Sequence, residues 1–98
     1  MSYTVLLLSK ARRELSAAFE WYEERQSGLG DRFVFAVMHK LSLIEQDPLR
    51  YPKRIKNYRE AVVPVFPYLI GYRIHKQRKV VAVVSIFHSK QNPTKKLK

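Results

Sequence analysis

Apolar residues recur along this chain first at strand spacing, then twice at helix spacing, then again at strand spacing. Tyr3–Leu8 is a short β-prone run and reads as a first strand. Ser9 stands where a helix N-cap is expected, its hydroxyl accepting from the free N–H groups of a starting helix. From Lys10 to about Arg25, residues Ala11, Leu15, Ala18, Phe19 and Tyr22 share one stripe. Arg12, Arg13, Glu20, Glu23 and Glu24 lie mostly off that stripe, and Trp21 reads as a margin or interface residue. Ser27-Gly28-Leu29-Gly30-Asp31 breaks the helix, with Gly28 or Gly30 suited to a left-handed cap and Asp31 to capping the next helix. The second helix runs to about Gln46 on a stripe of Phe33, Val37, Leu41 and Ile44, joined by Val34 and Met38. Asp47-Pro48 ends it, because proline disfavours helix in the residue before it. Two amphipathic helices with a short link make a helical hairpin.

The second half changes period. Residues 49–59 read as a loop, since Pro52 and Asn57 argue against regular structure there. Glu60–Val65 reads as a strand confined to an edge, or kept short, by Pro64 and Pro67. The apolar runs Tyr68–Ile74 and Val80–Phe87 flank the polar turn Lys76-Gln77-Arg78-Lys79 and form a hairpin. The order is β-α-α-β-β-β, an α+β fold with the helical hairpin on one face of a small, mainly antiparallel sheet. Period two places Tyr68, Ile70, Tyr72 and Ile74 under the helices, and Leu69, Gly71, Arg73 and His75 on the open face. The last strand is apolar on both faces, so the open face needs a cover, and a partner chain is an economical one. Strict alternation puts His88 on the Ile86 face, where it reads first as a structural histidine tying the strand end to a helix.

Ninety-eight residues with 46% hydrophobic content suit one folded domain spanning 1–98, with a frayed basic tail over 93–98. The absence of cysteine removes disulfides and thiolate metal sites, and fits a reducing cytoplasm. No apolar run approaches the roughly 20 residues of a membrane helix, so a soluble chain without a membrane partner is expected. Charge is uneven. Residues 1–48 hold six Lys/Arg and seven Asp/Glu, whereas residues 49–98 hold thirteen Lys/Arg and only Glu60 as an acid. That asymmetry favours a polyanionic or acidic partner for the second half.

No phosphate loop, zinc-protease, nucleophile-elbow or paired-carboxylate motif is present, and His39, His75 and His88 are scattered. Neither metal nor cofactor is expected. What remains is a basic cluster with interleaved tyrosines, which can neutralise phosphates and stack bases. Its candidate nucleic-acid or target-binding residues are Arg54, Lys56, Arg59, Arg73, Lys76, Arg78, Lys79 and Lys90. If the chain cleaves RNA without a metal, His88 would supply acid–base chemistry and Arg73 the cation for the phosphorane.

The chain resembles the ParE/RelE superfamily of bacterial type II toxins, or plasmid stabilisation proteins. The resemblance rests on Ala11 through Trp21-Tyr22, Gly28-Leu29-Gly30-Asp31-Arg32-Phe33, Pro48 with Tyr51-Pro52, Arg59, Phe66-Pro67-Tyr68, Tyr72, and His88 with Pro93. It implies a small toxin silenced by a cognate antitoxin in a hetero-oligomer. RelE-like members cut mRNA on the ribosome, and ParE-like members inhibit DNA gyrase without being nucleases. Nucleolytic members commonly carry arginine at the position of Leu69, and arginine or tyrosine near Ser89. These departures, with Phe66-Pro67-Tyr68, favour a non-enzymatic ParE-like gyrase inhibitor, with a ribosome-dependent nuclease or a non-toxic RNA-binding relative as the alternatives. The resemblance also implies an acidic or amphipathic antitoxin segment across the open sheet face, over Leu69, Arg73, Val81 and Val83.

Overall fold

The computed structural model describes residues 2–90. The chain runs β1 (Thr4–Leu7), α1 (Ser9–Arg25), α2 (Leu29–Gln46), a 3-10 turn (Pro48–Arg50), β2 (Lys53–Ile55), β3 (Tyr58–Val62), β4 (Tyr68–His75) and β5 (Val80–His88). The strands form one sheet in the order β1-β5-β4-β3-β2, with β1 parallel to β5 and every other pair antiparallel. This is the α+β arrangement expected from the sequence, with one strand more. The tail over 93–98, including Pro93, lies outside the described residues.

Helix termini account for two departures. Ser9 is the first helical residue of α1 and Leu8 holds the cap position, so no side chain caps this end. Leu8 is held instead by its own N–H, which donates to the Val83 carbonyl at 3.0 Å, and the helix starts directly off β1. At α2, Gly28 takes the left-handed conformation with φ 87°, as glycine permits, but Asp31 sits inside the first turn. The cap comes from the preceding helix. The Glu23 carboxylate accepts from Gly28 N at 2.8 Å and Gly30 N at 2.9 Å, placing negative charge at the positive end of α2. A Cβ at Gly30 would lie 2.6 Å from the Phe19 carbonyl oxygen, so the close approach of the two helices depends on that glycine.

The core lies between the helices and one face of the sheet. Ala11 and Ala18 of α1 and Phe33, Val37, Leu41 and Ile44 of α2 meet Ala61, Ile70, Tyr72, Ile74, Val81, Val83 and Ile86. Burying a side chain such as Phe33 or Ile44 stabilises the fold by roughly 1.5–3 kcal/mol. An aromatic cluster closes one end, with Phe66 5.0 Å from Tyr22 and 5.2 Å from Phe33, and Tyr68 4.9 Å from Phe33. The Phe66-Pro67-Tyr68 motif is therefore a packing device. Its backbone helps, since Tyr68 N–H donates to the Phe66 carbonyl at 2.8 Å.

Two readings of the second half need correction. The loop over 49–59 contains β2, and β3 begins at Tyr58 and ends at Val62 rather than spanning Glu60–Val65. Lys53, Arg54 and Ile55 are all exposed on an edge strand, so they carry no alternation to detect. The second correction concerns Val81 and Val83. Gly71 pairs with Ser85 and Tyr72 pairs with Val83, so Val84 is an extra residue in β5 and makes a bulge. Counting by twos back from Ile86 places Val81 and Val83 on the open face, but the bulge resets the pleat. Both are fully buried in the core, opposite Ile74 and Tyr72, and neither is available to an antitoxin.

The bulge also creates a demand that α1 meets. β1 pairs only with the Val80–Val83 half of β5, which leaves the rest of that edge without a strand. Glu14 of α1 accepts from Ile86 N at 3.0 Å and from the Ser85 hydroxyl at 2.8 Å. A carboxylate thus stands in for the missing strand neighbour.

Candidate functional site

The open face is built from alternate residues of three paired strands. Val62, Leu69 and Phe87 form one row, and Glu60 opposite Gly71 and Tyr58 opposite Arg73 form the next two. Leu69 and Arg73 do lie here, as expected, and both are half-buried. Tyr58 is long enough to lie across its neighbour, and Gly71 makes room for it, because a Cβ there would fall on the Tyr58 hydroxyl. The Arg73 guanidinium stands 5.8 Å from the Tyr58 ring centroid and 3.5 Å from the Asn57 side-chain oxygen.

Glu60 is only 3% exposed, although neither described helix packs on this face. Its Oε1 accepts from Arg54 Nε at 3.0 Å, and its Oε2 and the Tyr58 hydroxyl are buried close to each other. Burial, and then the negative charge of Glu60, push the Tyr58 hydroxyl well above its ordinary value of 10.0. One hint of this pair is legible without the structure, since Glu60 is the lone acid of residues 49–98. A carboxylate kept in so basic a segment has a local partner to hold.

The sheet divides the expected basic cluster. Arg54 and Arg73 belong to the open face. Arg59 points to the helix side, where its Nη1 donates to the Tyr51 carbonyl at 2.7 Å and the Leu49 carbonyl at 3.3 Å, tying the 3-10 turn to β3. Tyr72 fixes the same turn through its hydroxyl, which donates to the Pro48 carbonyl at 2.6 Å, and burial pushes that hydroxyl up as well. Arg59, Lys56 and Lys76, with Lys53, line a pocket of about 260 Å³ whose apolar wall is Leu49 and Ile74. Lys53, part of the basic run of residues 49–59, enters this pocket because it pairs with Arg59 across the β2–β3 strands. Arg78 and Lys79 lie exposed in the β4–β5 turn, and Lys90 follows the far end of β5. The cations form separate patches.

His88 is half-buried opposite Tyr68, whose ring meets it edge-on at 5.4 Å. Its Nδ1 accepts from Lys90 N–H at 3.1 Å, so the local chain, rather than a helix, holds the imidazole. Arg73 is five residues from Tyr68 along β4, about 16 Å at strand spacing, and on the other face. The structure does not bring His88 and Arg73 together. Among the described residues no group of three His, Cys, Asp or Glu side chains could hold a metal ion. No helix among them is long and apolar enough to cross a membrane.

A larger apolar groove of about 560 Å³ lies between α2 and the β3–β4 connection, lined by Asp31, Arg32, Phe35, His39, Val65 and Phe66 among others. Phe35 is 74% and Val65 89% exposed, and Val65 has φ 76°, a strained value for a β-branched residue.

Comparison with known proteins bears on this geometry. No curated protein matches the chain. Among solved structures it is similar to the chromosomal ParDE toxin–antitoxin system of P. aeruginosa, at 14% identity and a TM-score of 0.78, covering 91% of this chain and 98% of that one. It is also similar to the RelBE2 toxin–antitoxin complex of Mycobacterium tuberculosis, at 24% identity and a TM-score of 0.68, covering 90% and 99%. The isolated RelE toxin of E. coli matches at 12% identity and a TM-score of 0.57, covering 96% and 92%. At these identities the structures establish a shared fold. The family described as the ParE toxin of type II toxin-antitoxin system, parDE, matches residues 5–93. With nearly the whole chain matched and the fold shared, the protein belongs to the ParE toxin family of type II toxin–antitoxin systems.

Proposed function

We propose that this ParE-family toxin acts by binding and inhibiting DNA gyrase in the cytoplasm, and that a cognate antitoxin holds it inactive in a hetero-oligomer. The observation that supports an inhibitor over a nuclease is the separation of His88 from Arg73. An acid–base group and a phosphorane cation must reach one phosphate, and here they occupy opposite faces about 16 Å apart. Leu69, in place of a cation beside Tyr68, points the same way.

The antitoxin reading draws support from the relatives, two of which are named as toxin–antitoxin systems or complexes. The open face suits such a segment, with Leu69 and Val62 as apolar contacts and Arg73 as a cation for an acidic chain. Expression without an antitoxin should arrest growth and trap gyrase–DNA complexes. Normal supercoiling in an arrested cell would overturn the gyrase assignment, and mRNA cut at ribosomal A sites in those cells would install the nuclease instead. Arg73→Glu should weaken the antitoxin complex, and unchanged affinity would remove the open face from the interface.

A further inference from the structure

We infer that the pocket between the β2–β3 hairpin and the end of β4 is a phosphate-binding site, formed by Lys53, Lys56, Arg59 and Lys76 with the Asn57 side chain. Four cations surround a concavity of about 260 Å³, and no carboxylate lines it. Like charges so gathered repel one another, and a bound oxyanion converts that repulsion into attraction. A solvated basic surface has no such need of shape. Extended lysines diverge into water, whereas these come from three elements and line one hollow with an apolar wall.

Two local features strengthen the assignment. Arg59 Nε is buried without a hydrogen-bond partner, although the same guanidinium spends Nη1 on two carbonyls. Among the described residues Arg59 has no ion pair, so its full charge faces this region uncompensated. Lys56 adopts φ 49° in the two-residue turn between Ile55 and Tyr58, a left-handed position that glycine or asparagine fills at lower cost. Asparagine stands next to it at 57, with its amide nitrogen committed to the Ile74 carbonyl at 3.3 Å, which braces the turn against β4. The strained lysine is one of the residues that line the pocket.

The site borders the open face, to which Asn57 joins it through Arg73, and it does not depend on gyrase being the target. The ligand chemistry is a phosphate group, whether free or in a nucleic-acid backbone. The full chain, purified from its antitoxin, would be titrated with pyrophosphate and, separately, with a single-stranded 12-nucleotide DNA, following backbone amides by NMR. Shifts centred on residues 53–59 and 76 are expected. A triple variant, Lys53→Gln with Lys56→Gln and Lys76→Gln, should weaken binding at least tenfold. A charge-matched control, Arg12→Gln with Arg13→Gln and Arg32→Gln on the helices, should change it less than threefold. If the site takes a backbone phosphate, the oligonucleotide binds more tightly than pyrophosphate, and the salt slope of its affinity falls by about one or more in the pocket variant. If it takes a free anion, pyrophosphate binds at least as well as the oligonucleotide. Shifts spread over all basic patches, equal losses in both variants, or no binding of either ligand would each overturn the assignment. Unchanged amide spectra away from the substitutions separate loss of the site from loss of the fold.

Discussion

The two faces of the sheet bury residues by different means. On the helix side, Ile70, Tyr72, Ile74, Val81 and Val83 are buried because other elements lie on them. On the open side, Tyr58 and Glu60 are nearly as buried, yet neither described helix packs on that face. There Tyr58 lies across Gly71 beside the Arg73 guanidinium. The first kind of burial makes the fold. The second buries polar atoms at a surface, and costs stability that the core must offset.

Substitutions separate these cases. The largest effect is expected for Val83→Asp, which puts a charge in the core and should cost at least about 3 kcal/mol by chemical denaturation. Leu69→Asp, on the other face of the neighbouring strand, should cost about 1 kcal/mol or less. Equal losses would erase the distinction drawn by the bulge. Gly71→Ala comes next, at roughly 1–3 kcal/mol, because its methyl group collides with the Tyr58 hydroxyl and ring. Part of that loss should return in a Tyr58→Phe background, and strict additivity of the two would show that the ring is not the obstacle.

A smaller effect concerns Arg54 and Glu60. Arg54→Ala leaves a buried carboxylate without its cation, but the arginine is 56% exposed, so solvent replaces part of the interaction. A loss of about 1 kcal/mol is expected, shrinking in a Glu60→Gln background when measured as a double-mutant cycle. The smallest effect at ordinary pH is that of the buried phenols. Burial raises Tyr58 and Tyr72 above the ordinary value of 10.0, so the folded protein holds them neutral while the unfolded chain ionises. Their contribution is present in full below pH 10 and is lost as pH rises through the folded values. Stability should fall with alkali above about pH 10, and Tyr72→Phe should flatten that fall, as followed by denaturation at each pH.

Most of the architecture was legible where a single period governs a single buried face. Phe33, Val37, Leu41 and Ile44 announced α2, and Ile70, Tyr72 and Ile74 announced the inner face of β4. Legibility failed where period two breaks or carries no signal. Val84 adds one residue to β5 and inverts the phase for Val81 and Val83, and nothing in an unbroken run of apolar residues marks it. β2 was unreadable because all three of its residues face solvent. The candidate sites were harder still. A basic cluster contiguous in sequence is parted by the sheet, since Arg54 and Arg59 lie on paired strands but send their side chains to opposite faces. The motifs that marked the family turned out to be structural, with Gly28 and Gly30 capped by Glu23 and Phe66 packed on Tyr22.

The pairing of β1 with β5 has a consequence for how the toxin comes into being. Thr4 meets Val80, so among the described residues the first strand finds its partner in β5, the last strand in sequence. Such long-range closure is slow to form and cannot precede synthesis of β5. While the chain is still growing on the ribosome, β1 has no neighbour, α1 has no β5 edge for Glu14 to serve, and half the inner wall is missing. Folding of the sheet must therefore come late, and a chain arrested before Val80 would be a ready substrate for proteolysis.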